Sequence, residues 1–366
     1  MVCQYGQSLW TAHSSILVVY LKAMKLFTTV GVAASLAGAF AKGTCDGPNA
    51  RTEPPMGAIV VDVTGSYKNS VKTVSEGVAL LDPHTESVQT IFVRPGVYNE
   101  QVLVSPLSGP LVLQGYTCDA MSYACNEVTI TQAKAQKDIP KEVKGEARND
   151  LTSTIRFRSN KVKVYNLNVA NTAGNVGQAL AVNVNATDYG FYACNLTGYQ
   201  DTVLADKGRE LYAHTYINGA VDFVFGRYAQ AWFESCDIEI IGKGYIAANG
   251  RDSKANPSSF VFNRARVFGN SGVASSTLGR PWFPYARTIW QNSELGDVIA
   301  PNGWSTWNDT ASTTNVVFKE FNNSGPGAAT DKRVAFSGQL DALIAITEIL
   351  GDDYATQWWV DTAYLY

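Results

Sequence analysis

The chain has 366 residues, 46% of them hydrophobic and 17% charged, with 31 Gly and 13 Pro; this supplies enough apolar material for a sizeable core and excludes a disordered chain. Lys and Arg number 29 against 32 Asp and Glu, a net charge of −3 with no basic stripe, which argues against a nucleic-acid partner. The aromatic share of 11% fits a large β core or a sugar-binding groove.

In chain order, the first legible feature starts at Met24. A single Lys25, an apolar run from Leu26 to Phe40 and the small-residue pattern Ala39-Phe40-Ala41 follow the grammar of a secretory signal peptide over 24–41. The run falls short of the roughly 20 apolar residues that a membrane span needs. Residues 1–23 then read as a gene-model extension, and 42–366 as a single secreted domain with no membrane attachment after cleavage. A lead-in strand and loop occupy 42–70, after which Val71, Val74, Val78, Ala79 and Leu81 place apolar groups on one helical face.

Cys118 and Cys125, close together in a Gly/Ser/Tyr-rich loop, are the best disulfide candidates, whereas Cys194 and Cys236 lie in strand-like runs and read as buried thiols. Sequons at Asn185, Asn195, Asn308 and Asn322 permit glycans on an exported chain.

Between about 155 and 300, β-branched and aromatic runs recur at 162–169, 179–184, 190–196, 211–217, 231–241, 259–268 and 287–291, separated by Asn/Gly/Asp turns. Phe191-Tyr192-Ala193-Cys194, Leu211-Tyr212-Ala213-His214 and Trp232-Phe233-Glu234-Ser235 lie over one another at about the period of one solenoid coil. Leu340 to Leu350 is a second helical candidate, and helices at both ends would cap the open edges of a solenoid. The expected fold class is all-β, a single-domain solenoid with short helices near the ends.

The chemistry is narrowed by exclusion. No Gly-x-Ser-x-Gly elbow occurs, and His214 is the one histidine inside the repeat region, which disfavours a serine triad. No HExxH, CxxC or histidine cluster suggests a metal site, so none is expected. The repeats offer instead Gln178, Gln200-Asp201, Asp222 and Arg280. Gln200 follows Gln178 by 22 residues and Asp222 follows Asp201 by 21, so coils of that length would bring them into register on strands about 4.8 Å apart. Two carboxyls so close are driven toward one ionised and one protonated form. Nearby amides can donate to an oxyanion and a guanidinium can orient one carboxylate, which together make an acyl-transfer site without serine. Each residue alone has a bland reading: a turn Asp is usually local structure, the glutamines fit an amide ladder, and Arg-Pro-Trp fits a packing corner. Their joint occurrence carries the argument.

Taken with Thr73-Val74-Ser75-Glu76-Gly77-Val78, Ile91-Phe92-Val93-Arg94-Pro95-Gly96-Val97-Tyr98-Asn99-Glu100, Gly177-Gln178-Ala179-Leu180, Tyr199-Gln200-Asp201-Thr202, Gly219-Ala220-Val221-Asp222-Phe223-Val224-Phe225-Gly226, Leu278-Gly279-Arg280-Pro281-Trp282 and Gly303-Trp304, the sequence resembles the pectin methylesterases (pectinesterases), in their microbial and fungal form, over roughly 57–366. Gly177 stands where plant members carry His, and Thr215 near where they carry Cys. The resemblance implies a right-handed parallel β-helix that hydrolyses the C6 methyl ester of galacturonate units in pectin and needs no cofactor; with the signal-like segment, an extracellular enzyme is expected, as a monomer. It implies Asp222 as nucleophile, Asp201 as acid and base, Gln178 and Gln200 as oxyanion donors, Arg280 as partner of Asp222, and Trp282, Phe225 and Tyr199 as groove residues for methyl-esterified homogalacturonan. Two rival readings of such a solenoid are a pectin lyase or glycosidase and a non-catalytic polysaccharide-binding β-helix. A lyase needs a Ca²⁺-binding acidic cluster with a basic residue, and a glycosidase has no use for oxyanion donors.

Overall fold

A computed structural model describes residues 45–365. The readings of 1–23 as an extension and 24–41 as a signal peptide lie outside the described residues. Short β-branched and aromatic segments cannot each bury their apolar face alone, and here they do so by stacking coil on coil. The described residues form one continuous parallel arrangement of strands wound as a right-handed parallel β-helix. One sheet runs from Ile59–Val61 through Gln89–Val93, Leu111–Gly115, Val162–Tyr165 and Tyr189–Tyr192 to the second part of Val203–Ala213, then on through Tyr228–Glu234, Ser259–Asn263, Arg287–Gln291 and Val317–Phe321 to Ser337–Gln339.

The turn out of that sheet is a single residue. Asn166, Ala193, His214, Ser235, Arg264, Asn292 and Asn322 each adopt the left-handed conformation with φ between 48° and 53°, one per coil. This corner splits runs that the sequence presents as unbroken: 162–169 becomes Val162–Tyr165 and Asn168–Asn171, and 190–196 becomes Tyr189–Tyr192 and Asn195–Thr197. Asn is the residue that tolerates this conformation most readily after Gly. Inside the solenoid the repeats stack ring on ring: Phe191 on Tyr212 at 4.8 Å, Tyr212 on Phe233 at 4.7 Å, Phe233 on Phe262 at 4.4 Å and Phe262 on Trp290 at 3.9 Å. The observed register pairs Phe191 with Tyr212 and Leu211 with Trp232. The first of the three overlaid segments is therefore displaced by one residue from the sequence alignment, because the inward ring and not the tripeptide pattern sets the register.

The first helix is Val74–Ala79, capped by Thr73 and Glu76, and its Gly77 lies so near Val61 that a β-carbon there would stand 2.8 Å from Val61 Cγ2. It covers the first coil, as expected. The second is only Ile346–Leu350, and it caps no open end: it lies flat on the lateral face, contacting Tyr228–Glu234 and the Val203–Ala213 strand. The reason is its apolar side, where Ile349 and Leu350 join Leu211, Trp232, Val261 and Ile289 in a cluster outside the solenoid. The segment around it runs backward along the coils. Gln291 donates to the Ile344 carbonyl, Gln230 to Ile349, Arg209 to Leu350 and Tyr192 to Trp359, at 2.7 to 3.0 Å, and the Tyr165 hydroxyl reaches Asp361 at 2.9 Å.

The expected Cys118–Cys125 disulfide is not formed. Arg51 pairs antiparallel with Thr117, which brings the preceding segment against the loop, and Cys118 is bonded to Cys45 with 4.9 Å between the Cα atoms. Cys194 and Cys236 are buried free thiols, in agreement with their strand-like setting. No helix among the described residues is long and apolar enough to cross a membrane.

Candidate active site

The strands Val203–Ala213 and Tyr216–Gly226 keep one offset at their approach to the site: Gln200 bridges Val221, and Val203 pairs with Val224. Asp201 therefore stands beside Asp222 on consecutive coils, with the Asp201 amide donating to the Val221 carbonyl at 3.0 Å. Both aspartates hold positive φ, 64° and 49°. Such strained backbone persists where surrounding structure fixes it, and it occurs often at reactive sites.

Arg280 comes from two coils further on. Its amide is bonded to the Ala247 carbonyl, and its side chain reaches back over the intervening coil to Asp222. Nε donates to Asp222 Oδ1 at 2.9 Å and Nη2 to Oδ2 at 2.7 Å, a two-pronged pair on a carboxylate only 5% exposed. The guanidinium lies over two rings, its carbon 4.1 Å from the centroid of Tyr245 and 4.1 Å from that of Trp307.

Burial raises the pKa of both carboxyls, and the two are separated by what opposes it. For Asp201, burial and the charge of Asp222 push it well above its ordinary value, against Arg280 and a hydrogen bond from Gln200. For Asp222, burial also raises the value, but the Arg280 hydrogen bonds and charge oppose it directly. Asp222 is thus the carboxyl held toward the ionised form and Asp201 the one held toward the acid.

Gln178 and Gln200 are both half-buried, and the Ala179 amide donates to the Gln200 carbonyl, which sets the two glutamine segments on adjacent coils. Phe223 and Phe225 lie on different faces although strict alternation would put residues two apart on the same one, and the register irregularity between Val221 and Val224 accompanies the switch: Phe223 enters the central core, while Phe225 joins Leu180, Leu204 and Ala248 in a separate outer cluster. Trp282 and Trp307 pack on that cluster, with Trp282 centred 6.0 Å from Phe225 and 6.4 Å from Trp307. Phe225 is only 3% exposed, so it supports the half-buried Trp282 from below. The Tyr199 hydroxyl lies against Gly242, where a β-carbon would stand 2.7 Å away.

Tyr245 and Trp307 escaped sequence reasoning. Tyr245 carries no motif around it. Trp307 had a usable signal, a tryptophan at the start of a Ser/Thr/Asn-rich loop, whereas the neighbouring Trp304 is fully buried against Phe318.

Fold and site together define a right-handed parallel β-helix with a paired-carboxyl centre on its outer face. The profile of the pectinesterase family matches residues 58–349, and the chain belongs to that family. It is 43% identical to a pectinesterase of Aspergillus aculeatus and to one of Aspergillus niger, over 86% of this chain and 94% of each relative. Among solved structures it is similar to the pectin methylesterase of Aspergillus niger in deglycosylated form, with 34% identity, a TM-score of 0.77, and coverage of 86% of this chain and all of the other. The pectin methylesterase from carrot, at 24% identity, shares the fold, with a TM-score of 0.71 over 86% of this chain and 95% of the other. The chain is a carboxylic ester hydrolase of the pectinesterase class.

Proposed function

We propose that the chain is an exported, monomeric esterase, its working domain spanning 42–366, that hydrolyses the C6 methyl ester of galacturonate units in methyl-esterified homogalacturonan and releases methanol. The observation that carries this reading is the two-pronged Arg280–Asp222 pair beside a second buried carboxyl, Asp201, in register on the adjacent coil. The ionised Asp222 attacks the ester carbonyl carbon, and the tetrahedral oxyanion accepts hydrogen bonds from the side-chain amides of Gln178 and Gln200. As the C–O bond to the methoxyl group breaks, the leaving oxygen takes the Asp201 proton and departs as methanol, leaving an anhydride on Asp222. Asp201, now ionised, takes a proton from water, whose oxygen attacks the anhydride carbonyl and restores both carboxyls. Neither a metal nor an organic cofactor enters this scheme. Trp282, supported by Phe225, offers a ring face to the sugars, with Tyr199 further from the centre.

The test is methanol release from highly methylated pectin without added Ca²⁺, with unsaturated uronide absorbance and reducing ends followed in parallel. Methanol alone is expected, lost in Asp222→Asn and slowed by orders of magnitude in Asp201→Asn with pectin binding retained. Unsaturation or new reducing ends without methanol, or a normal rate in either variant, overturns the reading.

A further inference from the structure

The outward face that carries Asp222 and Phe225 ends at Gly226, and the next residue, Arg227, continues the surface. Arg227 adjoins Trp282 across Gly250: a β-carbon on Gly250 would stand 2.7 Å from Trp282 Cε3 and 2.8 Å from Arg227 Cγ. The guanidinium lies over two rings, 4.7 Å from the centroid of Phe283 and 5.0 Å from that of Tyr228. Its edge meets two carboxylates. Nη1 donates to Glu146 Oε1 at 2.8 Å and Nη2 to Asp252 Oδ2 at 3.3 Å. Arg227 is 23% exposed, Asp252 33% and Glu146 52%, and Glu146 arrives from the five-residue helix Glu146–Asp150, 81 positions away in sequence.

We propose that Arg227 is a specificity-determining residue that receives the free carboxylate of an already de-esterified galacturonate unit, which takes the place of Glu146. The inference rests on the pectin-esterase reading above. Hydrolysis of a methyl ester turns a neutral group on the polymer into an anion, so a fixed guanidinium on the same surface distinguishes processed from unprocessed chain. Stacking on Phe283 and Tyr228 holds the planar fork in place, which suits it to a carboxylate. Exchange is favoured over addition, since a third carboxylate beside two would be repelled. It is also inexpensive, because an ion pair with a half-exposed partner adds little net stability. Arg227 stands five residues past Asp222, just beyond the end of that strand, so at about 3.3 Å per residue the two backbones are at most roughly 16 Å apart, and with Asp222 already engaged by Arg280 the sugar that Arg227 holds is a neighbour of the one under attack.

Methanol release by the full-length enzyme is compared on nearly fully methylated and on partly de-esterified pectin, and binding of polygalacturonate is measured by calorimetry. In Arg227→Gln, KM for the partly de-esterified polymer is expected to rise several-fold and polygalacturonate binding to weaken, with kcat and the KM for fully methylated pectin little changed. In Glu146→Gln the KM for the partly de-esterified polymer is expected to fall, an opposite shift that a misfolded variant cannot produce, and added salt is expected to erase it. Equal changes on both polymers, or none in either variant, overturn the proposal. If the wild type releases no methanol while Arg227→Gln still weakens polygalacturonate binding, the esterase reading fails and the carboxylate site stands.

Discussion

Removing the guanidinium beside Asp222 should move the pH at which the enzyme switches on. In Arg280→Gln, Asp222 loses bonds of 2.9 and 2.7 Å while staying in a site that leaves it only 5% exposed. Taking one partner from a buried pair costs about 3–5 kcal/mol, and at about 1.4 kcal/mol per pKa unit this amounts to roughly 2–4 units. The sign follows from the scheme: the nucleophile must be ionised, Arg280 opposes the upward pull of burial, and its loss raises the Asp222 value further. The acid limb of kcat/KM should therefore shift upward by about 2–4 units, so that at a pH below both limbs the rate falls ~100-fold or more and recovers in part as pH rises. Arg280→Lys keeps the charge without the two-pronged geometry and should shift the limb less. The assay is initial-rate methanol release across pH with folding checked by circular dichroism at each point. A variant equally impaired at every pH, with the acid limb unmoved, would refute the argument, since Arg280 would then act on substrate binding alone.

Asp206 offers a test of stability. Burial, with smaller contributions from Glu146 and Asp150 against Arg158 and Arg227, pushes its carboxyl up to about 6. A raised acid favours the protonated fold, so stability should be lost as pH climbs from the unfolded value through 6; about 2 units at about 1.4 kcal/mol each gives a penalty of roughly 3 kcal/mol above it. Asp206→Asn, which can still accept the 2.9 Å bond from Asn185, should raise Tm at pH 7.5 and leave it nearly unchanged at pH 4. An equal rise at both would contradict the charge argument. For glycans, Asn308 is exposed and its Oδ1 accepts from the Thr310 amide and hydroxyl at 3.0 Å each, which leaves Nδ2 facing outward, whereas the Asn185 Nδ2 is engaged by Asp206. Peptide mapping of secreted protein should find a glycan on Asn308 and none on Asn185; the reverse pattern would be inconsistent with these contacts.

The solenoid was legible in the sequence because its repeats are close to one coil in length and their aromatic positions recur. The corners were not. A single left-handed residue turns the chain without a Gly or Pro, and at Ala193, His214 and Ser235 no residue type marks it. The one-residue displacement at Phe191 has the same origin, since ring stacking inside the solenoid decides what faces what. At the site, the spacing of Asp201 and Asp222 was informative because the pairings on either side of Asp201, Gln200 with Val221 and Val203 with Val224, keep the same offset. Tyr245 and Trp307 were hidden, one in a strand and one in a polar loop, because their role is defined by Arg280 reaching across a coil. The disulfide was misjudged for a similar reason: nearness in sequence says little when an antiparallel bridge at Arg51 brings Cys45 to Cys118.

The backward-running segment from Ile344 to Asp361 alters what kind of object this solenoid is. A stack of coils that touch only their neighbours behaves as a linear chain, able to fray from either end one coil at a time. Here the segment 344–361 is tied to the coils of Gln291, Gln230, Arg209, Tyr192 and Tyr165 in turn, so a late coil cannot peel away without loosening contacts made on much earlier ones. Local opening becomes coupled over most of the molecule's length, and unfolding should approach a single cooperative step. The same arrangement sets an order on biosynthesis. Until residues 344–365 emerge, the strip of Tyr192, Leu211, Trp232, Val261 and Ile289 is uncovered, so the nascent chain carries an adhesive surface that this later segment closes.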